Sequence, residues 1–209
     1  TISGNTVTIS GAGNIVVQAN QAGNDNYQPA TTTTTIVVQK ATQNITFPPI
    51  ADKKYGISPF VMNASASSGL LVQYSVLSGP AYIYGNTLFL NGIGTVVVQA
   101  MQYGNENYYA ATPVQVSFCS TVDSLSQISG SNNTCPNTQT YSVTNITGAN
   151  YNWSVSGGGT ILANGSNQVQ IEWQTPGIHT VSVNAVGDCG VASATRSFAV
   201  EITSPLVPG

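Results

Sequence analysis

Residue types able to do chemistry are few in this chain and lie far apart. The one histidine, His179, has no Gly-x-Ser-x-Gly elbow or other nucleophile motif to accompany it, so a Ser–His–Asp arrangement is unsupported. The seven carboxylates, Asp25, Asp52, Glu106, Asp123, Glu172, Asp188 and Glu201, are scattered along the whole length. Glycoside hydrolysis needs two carboxylates at a fixed separation across one bond, which scattering does not provide. Asn24-Asp25-Asn26 and Asn105-Glu106-Asn107 offer oxygens to a hard cation such as Ca²⁺. Each has a single carboxylate and lacks the ligand density of a calcium loop, so the Asn side chains are better suited to forming turns. No catalytic, metal-binding or cofactor-binding residue is assigned, no cofactor is expected, and the chain reads as a non-enzyme.

Aromatic residues are the remaining candidates. Trp153 and Trp173 could serve as sugar-stacking platforms, but they alternate with apolar neighbours at a spacing of two, which places them in a core. Tyr82, Tyr84, Tyr103 and Tyr109 are the better surface candidates. Three cysteines, an odd count, leave at least one thiol free or paired elsewhere.

Composition narrows the partners. Charged residues make up 5% of the chain, against about 25% in an average soluble domain, so Ser, Thr, Gln and Asn must meet the water. Four basic residues and a net charge of −3 provide no basic stripe to neutralise phosphates, which excludes a nucleic-acid binder. No apolar run reaches the roughly 18 residues that a membrane-spanning helix needs, so this segment is expected not to span a membrane.

The elements behind these residues are announced by an internal repeat. TISGNTVTISGAGNIVVQANQAGNDNYQPAT, residues 1–31, recurs as YIYGNTLFLNGIGTVVVQAMQYGNENYYAAT, residues 82–112, without insertions and with more than half of the positions identical. Each copy reads as short alternating strands broken by Gly-rich turns, then a β-branched run, then a Gly-Asn-x-Asn-Tyr turn. The second copy is preceded by residues 43–81 and the first by nothing, so residues 1–39 are expected to be the C-terminal half of a module and residues 40–118 a complete one. A half-sandwich would expose unpaired strand edges, so its other half is expected upstream or in a neighbouring chain.

From Cys119 onward the pattern changes. Tyr151, Trp153 and Val155 share one face, as do Val169, Ile171 and Trp173, and Val181, Val183 and Ala185, giving three inward-facing sets for a two-sheet core. The expected order is a junction at 119–128, a further sandwich at 129–203 and a Pro-rich linker at 204–209. Two prolines there remove the donors that a central strand needs. The fold class is all-β, in tandem sandwich modules.

The segment ITFPPIADKKYGISPFVMNASASSGLLVQYSVLSGPA, with GNTLFLNGIGTVVVQAMQYGNENYYAA after it, resembles the MBG-like immunoglobulin-fold repeats of giant surface adhesins of Bacteroidetes-type bacteria. The resemblance rests on Tyr55-Gly56, Pro59-Phe60, Ala66 to Leu70, Gly92-x-Gly94 and Gly104 to Tyr108. Ile57 and Leu71 depart from the usual pattern. Residues 129–203, with Cys135, Tyr141, Tyr151-x-Trp153, Trp173 and Cys189-Gly190, are similar to PKD-like domains.

The resemblance implies immunoglobulin-like sandwiches, type IX secretion, an extracellular or bacterial cell-surface location, and service in adhesion, gliding or surface filaments. Cys135 and Cys189 bracket the last sandwich, and in a secreted module a disulfide between them is expected, with Cys119 left free at the junction. Asp123-Ser124-Leu125 matches the Asp-Ser/Thr-apolar pattern on which such bacteria attach O-glycans, which makes Ser124 the candidate O-glycosylation site of a glycoprotein. The leading expectation is a stalk or spacer segment of a very large adhesin. Its partners would be neighbouring repeats of the same chain, with surface glycans or other cell-surface proteins beside them. One alternative is a carbohydrate-binding or accessory module of a secreted polysaccharide-degrading enzyme. A second is a polymerising filament subunit that uses strand addition.

Overall fold

The computed structural model describes residues 1–204, and Pro205 to Gly209 of the expected linker lie outside the described residues. Every regular element among the described residues is a β-strand. The chain divides into two compact units, one formed by residues 1–47, 63–73 and 100–114, the other by residues 48–62, 74–99 and 115 onward. Segments of residues 40–118 therefore occur in both units.

The first repeat copy opens with a hairpin of β1 (Ile2–Ser3) and β2 (Thr6–Val7). Its loop is Gly4-Asn5, and Gly4 takes φ 58°, the positive value that a two-residue II′-type turn requires at its first position. β3 (Gly13–Gln21) and β4 (Ala30–Val38) then form a two-stranded antiparallel sheet with Ile15 opposite Ile36.

Nine strands follow in residues 45–121: β5 (Ile45–Thr46), β6 (Lys53–Lys54), β7 (Phe60–Val61), β8 (Ser65–Ala66), β9 (Gln73–Ser78), β10 (Ala81–Tyr84), β11 (Thr87–Leu90), β12 (Gly94–Met101) and β13 (Val114–Thr121). In the first unit β5 pairs with β8. β10, β11 and β7 form a three-stranded sheet, and β6, β13, β12 and β9 lie side by side in a four-stranded one. Along β12 the burial alternates, with Val96, Val98 and Ala100 buried, as a half-buried strand of period two demands.

The last stretch is a two-sheet sandwich. One sheet has the order β14 (Asn133–Thr134), β20 (Arg196–Ile202), β19 (Gly177–Val186), β16 (Asn150–Val155), and the other has β15 (Thr138–Ser142), β18 (Gln168–Trp173), β17 (Gly159–Ala163). The sets expected to face inward do so: Tyr151, Trp153, Val169, Ile171, Trp173, Val181, Val183 and Ala185 are buried and Val155 packs against them. Large side chains buried in this way contribute about 1.5–3 kcal/mol each, which is what lets a sandwich with so few charges fold. Leu125 and Ile128 belong to the same core, so the stretch before β14 is part of the sandwich's interior.

Candidate functional site

His179 and four of the carboxylates are taken up by local structure. His179 on β19 stacks on the Trp173 ring, centroids 5.4 Å apart and 20° from parallel, and its Nε2 lies 2.9 Å from the Thr175 carbonyl oxygen. Asp52 accepts the Cys119 N–H at 2.8 Å, Asp188 accepts the Thr95 N–H, Asp123 pairs with Lys54, and Glu201 accepts from the Asn133 amide. No cluster of three His, Cys, Asp or Glu residues that could hold a metal ion occurs among the described residues. The indoles are core residues: Trp173 Nε1 donates to the Tyr141 hydroxyl at 3.0 Å and Trp153 Nε1 to the Ser166 carbonyl at 2.9 Å. Burial raises the Tyr141 and Tyr151 hydroxyl pKa values above the ordinary tyrosine value, with hydrogen bonds from Trp173 and from the Ile146 N–H opposing part of that rise.

The two Asn turns are alike. Asn24 Oδ1 accepts from Asn26 and Tyr27 N–H at 2.9 and 3.0 Å, and Asn105 Oδ1 accepts from Asn107 and Tyr108 N–H at 2.8 and 3.0 Å. These oxygens close Asx turns. In the first unit Asn107 Oδ1 also accepts the Ala12 N–H at 2.8 Å.

The densest polar and covalent arrangement lies in the second unit, where the β11–β12 and β13 backbones meet the sandwich. Ile93 is buried in the sandwich core with Leu125, Ile128 and Tyr151, and its N–H donates to the Thr147 carbonyl at 2.9 Å. Ser120 Oγ donates to the Gly92 carbonyl at 2.7 Å. At Gly148, φ 80°, a Cβ would strike the Ile93 carbonyl oxygen, and at Gly92 one would strike that of Thr147. These two glycines permit an approach of backbone to backbone that no side chain would allow.

The cysteines correct the sequence expectation at this place. Cys119 is bonded to Cys189, with Cα atoms 6.1 Å apart and a sequence separation of 70. Cys135 is exposed with a free thiol, its Sγ 3.8 Å from Thr203 Oγ1. The expected Cys135–Cys189 bond and free Cys119 are thus replaced by the opposite assignment. Pairing is decided by the distance between Cα atoms. The Cys135–Thr203 contact sits beside the β14–β20 pairing, whereas Cys189 lies three residues after β19 and its sulfur reaches Cys119 in β13. Three cysteines admit three pairings, and sequence spacing carries no signal to choose among them.

The second surface feature is the outward face of β10–β11. Tyr82 lies opposite Phe89 and Tyr84 opposite Thr87, while Ile83 and Leu88 point inward. Tyr82 and Phe89 stack at 4.8 Å and 9°, and Tyr82 and Tyr84 are 52% and 81% exposed. Tyr103 and Tyr109 are exposed as well. The first repeat copy has Thr1, Ser3 and Thr8 where the second has Tyr82, Tyr84 and Phe89, so the hairpin itself does not require aromatic rings there. Ser124 is exposed, and its Oγ accepts from Arg196 Nη2 at 3.3 Å.

Residues 121–200 match the PKD-like domain family. No curated protein matches the chain. Among solved structures, the chain is similar to Drosophila N-cadherin EC1-3 at 13% identity, over 94% of this chain and 79% of that one, with a TM-score of 0.35. It is similar to the D00-D0 domain of intimin at 13% identity, over 77% and 99%, with a TM-score of 0.32. It is also similar to the Bacteroides ovatus mixed-linkage glucan utilization locus SGBP-B, in complex with a mixed-linkage heptasaccharide, at 15% identity, over 93% and 54%, with a TM-score of 0.27. The described residues are all-β, and β14 to β20 form a two-sheet β-sandwich. The match to the PKD-like domain covers most of that sandwich.

Proposed function

We propose that this chain is a non-catalytic spacer segment of a large secreted cell-surface adhesin, exported by the type IX route and serving attachment, gliding or surface filaments. In this reading residues 1–39 and 40–118 belong to MBG-like repeats, and the sandwich over 129–203 follows them. The observation that carries the proposal is the junction. Ile93 of the β11–β12 turn is a core residue of the sandwich, and backbone hydrogen bonds, two closely approaching glycines and a disulfide hold the strands there. A spacer keeps its length only where successive modules are joined without slack. Spin labels at Tyr84 and Ile178, both exposed, are expected to give one narrow distance distribution by electron–electron resonance. A broad distribution would remove the spacer reading.

A second reading, a carbohydrate-binding module, is favoured by the β10–β11 aromatic face. Its residues Ala81–Leu90 carry no charge, and exposed tyrosines combine an apolar ring with a polar tip, which suits a neutral glycan. Retardation of the chain in gels containing neutral polysaccharides, abolished by Tyr82→Ala with Tyr84→Ala, would establish it. Unretarded migration returns the face to an inert surface.

A further inference from the structure

We propose that the Cys119–Cys189 bond carries tension around the PKD-like sandwich instead of through it. The inference deepens the spacer reading, since it says how such a segment would hold its length under load. It rests on chain order. The bond closes a covalent ring over residues 120–188, 70 residues from cysteine to cysteine. β14, β15, β16, β17, β18 and β19 all lie inside that ring. β13, which contains Cys119, and β20, which follows Cys189, are where the chain enters and leaves it. A pull on the chain from both sides therefore runs from β13 across the sulfur–sulfur bond into residues 190–195 and β20. The strands inside the ring lie on no taut path, and none of them can be drawn out while the bond holds.

The two strands that do take the pull are placed to resist it. β13 lies between β6 and β12, and its Cys119 N–H is held by Asp52 Oδ1 at 2.8 Å. β20 is an interior strand between β14 and β19, in register with β19 from Arg196 opposite Val183 to Ile202 opposite Gly177. A strand is already extended to about 3.3 Å per residue, so β20 has little length to give even if it is pulled free. Tension along its axis also loads its ladder of bonds together and does not open them one at a time.

The test is single-molecule stretching of the full chain held at both ends, first oxidised and then after reduction by a phosphine. Oxidised protein is expected to show no extension from the sandwich beyond that of the residues after Cys189. Reduced protein, and Cys119→Ser with Cys189→Ser, are expected to show an added step of about 250 Å, the length of the freed 70-residue loop. If the double variant does not fold, reduction of the folded wild type supplies the same readout. Cys135→Ser is expected to leave the oxidised trace unchanged. Identical steps before and after reduction would overturn the proposal, as would peptide mapping that pairs Cys135 with either other cysteine. Either result leaves the label-distance test of the spacer reading standing on its own.

Discussion

Val7, Ile15, Val17 and Ala19 of the first repeat copy hold the same repeat positions as Leu88, Val96, Val98 and Ala100 of the second. None of the first four is buried, and all of the second four are fully so. The two copies share their local structure. Each has a Gly-Asn hairpin turn with a positive φ at the glycine, Gly4 at 58° and Gly85 at 63°, and each closes its Asx turn through an equivalent asparagine oxygen. They differ in what lies beside them. β12 has β13 and β9 as neighbours in a four-stranded sheet, whereas β3 has β4 alone. Local sequence is thus sufficient for strand, turn and alternation, and burial depends on the strands placed alongside.

Three paired substitutions and one change of pH would break or sharpen this contrast. A charge placed at Val98 has no partner and no water, so Val98→Asp is expected to cost on the order of 5 kcal/mol. Val17→Asp, on a partly exposed face, should cost about 1 kcal/mol or less. Equal losses in urea unfolding would mean that the two copies are covered alike. Next, Leu88→Ala is expected to lower stability by about 3 kcal/mol, against less than about 1 kcal/mol for Val7→Ala.

At the Asx turns the prediction reverses, because the geometry is shared. Asn24→Ala and Asn105→Ala should each release two backbone donors and cost about 1 kcal/mol. A large inequality, measured by amide exchange at Tyr27 and Tyr108, would show that one turn is held by more than its asparagine. The smallest effect is confined to the PKD-like sandwich. Burial raises the folded-state pKa of Tyr141 and Tyr151, so the unfolded chain loses these protons first. Their contribution is complete below about pH 10 and declines as pH rises past that value. Unfolding free energies that climb in that range would contradict the sign.

Strands announced by alternating large apolar residues were the most legible part of the fold. Trp153, Ile171, Trp173 and Val183 each face the core as their spacing requires, because a period of two can bury only one face. Cys119 and Ile93 were not legible. Cys119 sits in the repeat's last strand and Cys189 beyond the sandwich's β19, and nothing in their spacing records that the two strand ends meet. Ile93, between two glycines, reads as a turn residue of the repeat. Only the close approach at Gly148 reveals that it completes the neighbouring core. Tyr82 and Tyr84 were legible as surface residues because they alternate with Ile83, which points inward.

Among the described residues a single ion pair joins Lys54 to Asp123, both well exposed. Salt at about 0.1 M screens exposed charges beyond about 10 Å, and the few charges here leave it little to act on. Cohesion among the described residues comes mainly from apolar packing, from hydrogen bonds of which a few go to carboxylates such as Asp52 and Asp188, and from one covalent cross-link. Raising ionic strength within that dilute range is therefore expected to leave its folded state nearly unchanged.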